Sequence, residues 1–271
     1  MKLSHMLMVA AAPFALVACS AESPAPQTLA EVETPAEPAA EPAAAEGPAE
    51  AAPAVWMARG NEPGWTVTLD GTTLIYIYAY GEGQYEAPQP EAEAIEGGRR
   101  YTTADGVLSV TVIDKTCADD MSGMPYPQTV TVQMEDARVQ GCGGETADLI
   151  EGDWAVVEVN GAPVMPGAEI NMLIEPDVPP APGQQLQFVP GKGGVTGKSG
   201  CNQYGSEFTL SGEGITFSDA FHTEMACEPD LMEQEAAFLD ALGKVSMITF
   251  DEGGEMELRD AEFRQIYLRR K

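Results

Sequence analysis

Positive charge is scarce in this sequence. Its 14 Lys and Arg face 43 Asp and Glu, for a formal net charge of −29. Nucleic acid is excluded as a partner, because its binding depends on neutralising phosphates with Lys and Arg. A basic face for anionic lipid headgroups is missing too, so membrane attachment requires an anchor. Histidine is nearly absent: of two in the chain, His5 lies in an N-terminal apolar stretch, leaving His222 for the rest. That removes a His-rich metal site and disfavours a histidine-based catalytic network. No Cys-x-x-Cys spacing or paired His supports zinc. The expectation is no metal and no cofactor.

What is present begins with an export pattern. Lys2 supplies a positive charge ahead of the apolar run Leu7–Ala18. This run is shorter than the ~20 apolar residues of a spanning helix. It ends in Leu16-Val17-Ala18-Cys19, which resembles a bacterial lipobox. The resemblance implies a signal peptide over 1–18 and lipidation of Cys19. It also implies a stable anchor, since two or more acyl chains hold where one binds weakly. Ser20 after the cysteine implies the outer membrane, facing the periplasm, in a Gram-negative envelope. Residues 19–54 then form an Ala/Pro/Glu run with repeats such as Ala36-Glu37-Pro38-Ala39 and Ala40-Glu41-Pro42-Ala43. With Leu29 and Val32 as its only large apolar residues, the run cannot bury a core and is expected to be a disordered tether.

The chain has five cysteines. With Cys19 set aside, Cys117, Cys142, Cys201 and Cys227 allow three pairings. Pairs 117–142 and 201–227 are favoured, because each stays within its own region. Each closes a loop of roughly 25 residues, contributing about 3 kcal/mol on the chain-entropy argument. Disulfides also suit an exported protein.

Residues 55–145 alternate apolar and polar. Trp65, Val67 and Leu69 share one face, Leu108, Val110 and Val112 another, and Thr129–Met134 repeats the pattern. Asp70-Gly71 and Asp105-Gly106 are hairpin signals, the first followed by a strand over Leu74–Tyr80. No window predicts an amphipathic helix, and the region reads as a small sandwich or barrel. Gly60-Asn61-Glu62-Pro63-Gly64-Trp65, Cys117 to Pro127 and Gly141-Cys142-Gly143-Gly144 together resemble a small uncharacterised secreted domain of bacterial envelope lipoproteins. The resemblance implies no established chemistry. The apolar, turn-rich loop Met121 to Pro127 is a possible binding loop, with Met121, Ser122 and Tyr126 as its contact residues. Its Ser-Gly-x-x-Tyr core faintly resembles the loop of periplasmic lysozyme inhibitors. A disulfide-pinned structural turn explains the same residues.

Residues 147–271 predict further short strands. These are Trp154–Val159, Ile170–Ile174, Leu186–Val189, Phe208–Leu210, Ile215–Phe217, Ser246–Phe250, Met256–Leu258 and Gln265–Leu268. Asn160-Gly161 is a hairpin turn. One helix is predicted, with Asp230 as N-cap, Glu233 at capping-box spacing, Leu231, Phe238, Leu239 and Leu242 on one face, and Gly243 at the C-cap. Several segments then occur in order: Asp153-Trp154, Asn160-Gly161, Gly200-Cys201-Asn202-Gln203-Tyr204, Thr223-Glu224-Met225-Ala226-Cys227 and Glu235-Ala236-Ala237-Phe238-Leu239. They resemble the META (HslJ-like) domain across nearly all of 147–271. The resemblance implies a mainly antiparallel β fold with a packed helix, in envelope proteins linked to stress and antibiotic tolerance. It also supports the 201–227 pairing. The Pro-rich stretch Pro176–Gly183 reads as an inserted loop.

The expected fold class is therefore mainly β (α+β): two small antiparallel β domains after the tether, the second with one packed helix. Gly191–Ser199 only superficially resembles a phosphate-binding loop. The motif needs Gly where Lys192 stands, so the segment reads as a glycine-rich hairpin turn. His222, beside the Thr223–Cys227 segment, is a pH-responsive contact at most. With no catalytic constellation in view, the expected function is non-enzymatic: a lipid-anchored envelope protein with a structural or stress-protective role through contacts with an envelope protein. The alternative is an inhibitor or binding module for an enzyme such as lysozyme.

Overall fold

A computed structural model describes residues 55–177 and 191–271. The 1–18 leader, Cys19, the rest of the 19–54 tether, most of the Pro176–Gly183 loop and the Leu186–Val189 strand lie outside the described residues. Among the described residues, no helix is long and apolar enough to cross a membrane.

The alternating segments of the first region form strands, as their period requires. In chain order these are β1 (Trp56–Asn61), β2 (Gly64–Leu69), β3 (Thr73–Tyr78), β4 (Gly83–Pro88), β5 (Glu93–Ile95), β6 (Gly98–Thr102), β7 (Leu108–Ile113), β8 (Cys117–Ala118), β9 (Pro125–Tyr126), β10 (Gln128–Met134) and β11 (Ala137–Gly143). Nine of them build one antiparallel sheet in the order β4-β3-β2-β1-β11-β10-β7-β6-β5, while β8 and β9 form a separate ladder. Asp70 holds the β2–β3 turn by accepting from the backbone N–H groups of Thr72 and Thr73, at 2.8 and 2.7 Å. The strand expected over Leu74–Tyr80 ends at Tyr78, because Ala79 and Tyr80 turn with positive φ. The sheet curls so that Trp65, Val67, Leu74 and Tyr76 share one core with Val110, Val112, Val130 and Val132.

The second region contains β12 (Gly152–Val159), β13 (Ala162–Pro163), β14 (Asn171–Pro176), β15 (Lys192–Lys198), β16 (Gln203–Leu210), β17 (Ile215–Phe217), β18 (Phe221–His222), β19 (Met247–Phe250), β20 (Met256–Arg259) and β21 (Gln265–Arg270). Their main path runs β17-β16-β15-β14-β12-β21-β20-β19, with β13 on β12 and β18 on β16. The two ends of this path approach each other at Gly214, where a Cβ would overlap the Ser246 carbonyl oxygen. A short helix, α1 (Thr146–Ile150), precedes β12, and α2 (Pro229–Leu242) packs on the sheet. The mainly β class with one substantial packed helix is therefore present.

Two local expectations need correction. Helix α2 is capped by Glu228 rather than Asp230, because Pro229 sits in the first turn, where its missing N–H costs nothing. Gly243 is the C-cap as expected. Most of Gly191–Ser199 is not a turn but strand β15, paired along its length with β16. Its glycines serve close packing: a Cβ at Gly193 would overlap the Phe208 ring and the Glu175 carbonyl.

The disulfides are Cys117–Cys142 and Cys201–Cys227, with Cα–Cα distances of 5.5 and 6.0 Å. The first pins β8 against β11. Beyond it, Met124 and Tyr126 leave the first sheet's core and join the second region's, in one apolar cluster with Ile150, Trp154 and Phe238. Thr146 Oγ1 donates to the Pro125 carbonyl at 2.6 Å across the same junction.

Candidate functional site

The site is built around a carboxylate inside the second region. Leu231, Glu235, Phe238 and Leu242 follow one another at i, i+4, i+7 and i+11, so Glu235 falls on the apolar stripe of α2. It is 6% exposed. Ser199 Oγ donates to Glu235 Oε2 at 2.5 Å, the Asn202 backbone N–H to the same oxygen at 2.7 Å, and Asn202 Nδ2 to Oε1 at 2.8 Å. Asn202 Oδ1 accepts in turn from Thr223 Oγ1 at 2.7 Å and the Met225 N–H at 2.8 Å. One buried carboxylate thus ties the helix to two loops, and the Cys201–Cys227 disulfide joins the same loops covalently. Burial pushes the Glu235 carboxyl up, but hydrogen bonds from Ser199 and Asn202, helped by the nearby His222, hold it net below the usual range. Glu235 is therefore a structural anion with its lone pairs engaged, not a proton carrier.

The clamp positions an open groove of about 580 Å³ between β14, β15, β16 and β18. Its walls carry Glu169, Lys198, Gln203, Tyr204, Phe221 and His222. Lys198 Nζ donates to Glu169 Oε2 at 2.8 Å, and Lys271 reaches Glu169 Oε1 at 3.3 Å. Hydrogen bonds from these two lysines, Lys198 first, hold Glu169 below its usual range. Burial pushes the Tyr204 hydroxyl far up, and it donates to the Asn171 carbonyl at 3.1 Å. His222 Nδ1–H donates to the Thr223 carbonyl at 2.9 Å. Among the described residues, no hydroxyl or thiol is hydrogen-bonded to that imidazole.

The groove instead offers apolar surface. Phe221 is 74% exposed, and the tip of its ring lies against Gly205, where a Cβ would overlap it. Met225, 56% exposed, stands on the adjoining loop. Both side chains sit on backbone held by β18, the Asn202 bonds and the disulfide.

The residues singled out from the sequence are only partly brought together. Met121 is 76% exposed at the tip of its loop. Ser122 closes that loop on itself, its Oγ and N–H both donating to Asp119 Oδ1 at 2.8 Å. Tyr126 points inward, 6% exposed, with the Arg59 guanidinium 5.3 Å from its ring centroid. Burial pushes its hydroxyl up, the Arg59 charge opposing. Met121, Ser122 and Tyr126 thus do not form one exposed surface. His222 does lie in the groove. Among the described residues no group of three or more His, Cys, Asp or Glu is placed to hold a metal ion. Glu235 and Phe221 were missed as site residues. A charged residue on the apolar stripe of α2 was the available signal for the first, and nothing in the local pattern marked the second.

The family model for the META domain matches residues 147–271, the whole of the region that carries the clamp and the groove. An NMR structure of a protein from Burkholderia xenovorans is similar at 20% identity, over 46% of this chain and 86% of that one, with a TM-score of 0.33. That score is too low to support a structural argument. No curated protein matches the chain.

Proposed function

We propose that this META-domain protein is a lipid-anchored envelope protein that acts through non-enzymatic contacts with another envelope protein, in a structural or stress-protective role. The observation that carries the reading is Phe221. A large aromatic side chain held in the open on fixed backbone, beside a groove, is the kind of anchor around which protein interfaces concentrate their energy. The lipobox-like Leu16–Cys19 supports the anchor and the outer-membrane location facing the periplasm. The two disulfides accord with an oxidising compartment. The engagement of His222 with Thr223 supports binding over catalysis.

The experiment compares three strains: wild type, a deletion, and Phe221→Ala at matched protein level. Each is scored for survival of heat and of envelope-targeting antibiotics, with intact mass reporting acylation at Cys19. The expected result is an acylated protein and loss of tolerance in both altered strains. Unchanged tolerance in the deletion strain sinks the protective role. Loss in the deletion with full tolerance in Phe221→Ala moves the contact elsewhere on the molecule.

A further inference from the structure

The outer face of the first sheet carries a second, chemically different surface. Its inward residues fill the core, so the alternate residues of β6, β7, β10 and β11 all face out together. They line a shallow concavity of about 720 Å³. Strand register sets them in rows. Arg100, Thr111, Thr131 and Gln140 stand side by side across four strands. Thr102, Ser109, Gln133 and Arg138 form the next row. The middle is thus paved with hydroxyls and amides, and an arginine closes each row at opposite edges. Lys115 stands at a further margin, and no acidic residue lines the concavity.

That last feature stands out in a chain with 43 acidic residues and 14 basic ones. Among the described residues, Arg99, Lys198, Lys244, Arg259, Arg264, Arg269 and Lys271 are all paired with carboxylates. Arg59 and Arg270 lie over the Tyr126 and Trp154 rings. Among the described residues, Arg100, Lys115, Arg138 and Lys192 have no carboxylate partner; Lys192 lies alone at the start of β15, while the other three share this one face. Glu93 lies opposite Arg100 on β5 and still does not pair with it. At physiological salt the rest of the protein's negative charge is screened beyond roughly 8 Å, so the local cations decide what approaches.

We infer that this face binds an anionic polysaccharide. Arg100 and Arg138 take its charged groups, for which the guanidinium fork is suited. The Thr, Ser and Gln side chains between them exchange hydrogen bonds with sugar hydroxyls, each side offering both donors and acceptors. This surface is separate from the Phe221 groove and does not depend on it.

The test is binding of the full-length protein to three immobilised polymers at physiological salt: polygalacturonate (charged and hydroxylated), dextran (hydroxylated only) and polyglutamate (charged only). Polygalacturonate alone is expected to retain the protein. Arg100→Gln with Arg138→Gln is expected to weaken that retention at least tenfold, with the thermal midpoint unchanged. Thr131→Ala, which keeps the charges, is expected to weaken it several-fold and provides a second readout should the double variant fold poorly. Equal retention on dextran would refute the role of charge. Equal retention on polyglutamate would reduce the face to a general anion contact. No retention on polygalacturonate, or retention indifferent to all three substitutions, overturns the inference.

Discussion

Between residues 55 and 145 the described structure buries one polar side chain, Thr103; from Thr146 onward it buries Thr146, Ser199, Asn202, Ser206, Glu235, Glu257 and Asp260. The first sheet is assembled largely from hairpins between chain neighbours, whose ladders already satisfy the backbone. Its core cluster joins Trp65, Leu74 and Tyr76 to the valines of β7 and β10. The second region has a harder problem, to seat a helix and long loops on a sheet in one register. Apolar packing is non-directional, so it does not choose among similar seatings. The Glu235 carboxylate does choose, because its three donors must meet it at once. A satisfied buried network of this kind adds specificity, and it is costly when broken.

The largest effects test what the two regions share. Each disulfide closes a nearly equal stretch, with sequence separations of 25 and 26. Replacing either pair by serine is expected to cost about 3 kcal/mol in urea unfolding. Equal costs would show that loop closure dominates in both regions. A clearly larger cost for Cys201–Cys227 would show that the disulfide and the clamp hold one another.

Glu235→Ala strands the Ser199 and Asn202 donors and is expected to cost about 3 kcal/mol at neutral pH. Leu74→Ala, a cavity in the first core, is expected to cost about 3 kcal/mol as well. Acid separates them. Glu235 titrates below its ordinary value in the folded protein, so its contribution is complete above the ordinary glutamate range and is lost as pH falls through the lowered value. The cost of Glu235→Ala should therefore shrink in acid unfolding curves, while that of Leu74→Ala should not. A pH-independent cost for Glu235→Ala would mean the clamp does not act as an anion.

The junction loop gives the next contrast. Tyr126→Ala is expected to lose about 3 kcal/mol, since Tyr126 fills the shared core. Met121→Ala, at the exposed tip, should stay within about 0.5 kcal/mol. The reverse order would mean that the loop is not packed as described. Smallest of all, Phe221→Ala should leave the thermal midpoint nearly unchanged, because the ring is largely exposed. A large stability loss there would recast Phe221 as a packing residue rather than a contact.

Much of this arrangement was legible in residue order. Trp65-Val67-Leu69 and Leu108-Val110-Val112 announce their strands by alternation, and α2 announces itself by its stripe. Strands β4, β6 and β15 were not legible. Tyr85 is the one large apolar residue of β4, between Gln84 and Glu86, Arg99 and Arg100 make both faces of β6 polar, and the glycines of β15 imitate a turn. Each is a strand because a neighbour pairs with it, a fact absent from local pattern. The candidate site was less legible still: the motif segments around Asn202, Thr223 and Glu235 were visible, but not that one carboxylate joins them.

By itself the sequence determined the class of fold, the position of α2 and the turns, because period, chirality and glycine chemistry act over a few residues. It also determined the charge balance, 14 basic residues against 43 acidic ones. Only the tertiary structure decided that Tyr126 packs inward, that Glu235 is a clamp, that Phe221 stands exposed beside a groove, and that three unpaired cations share one face. Those outcomes depend on which distant segments meet, and burial and unmet charge exist only once they have met.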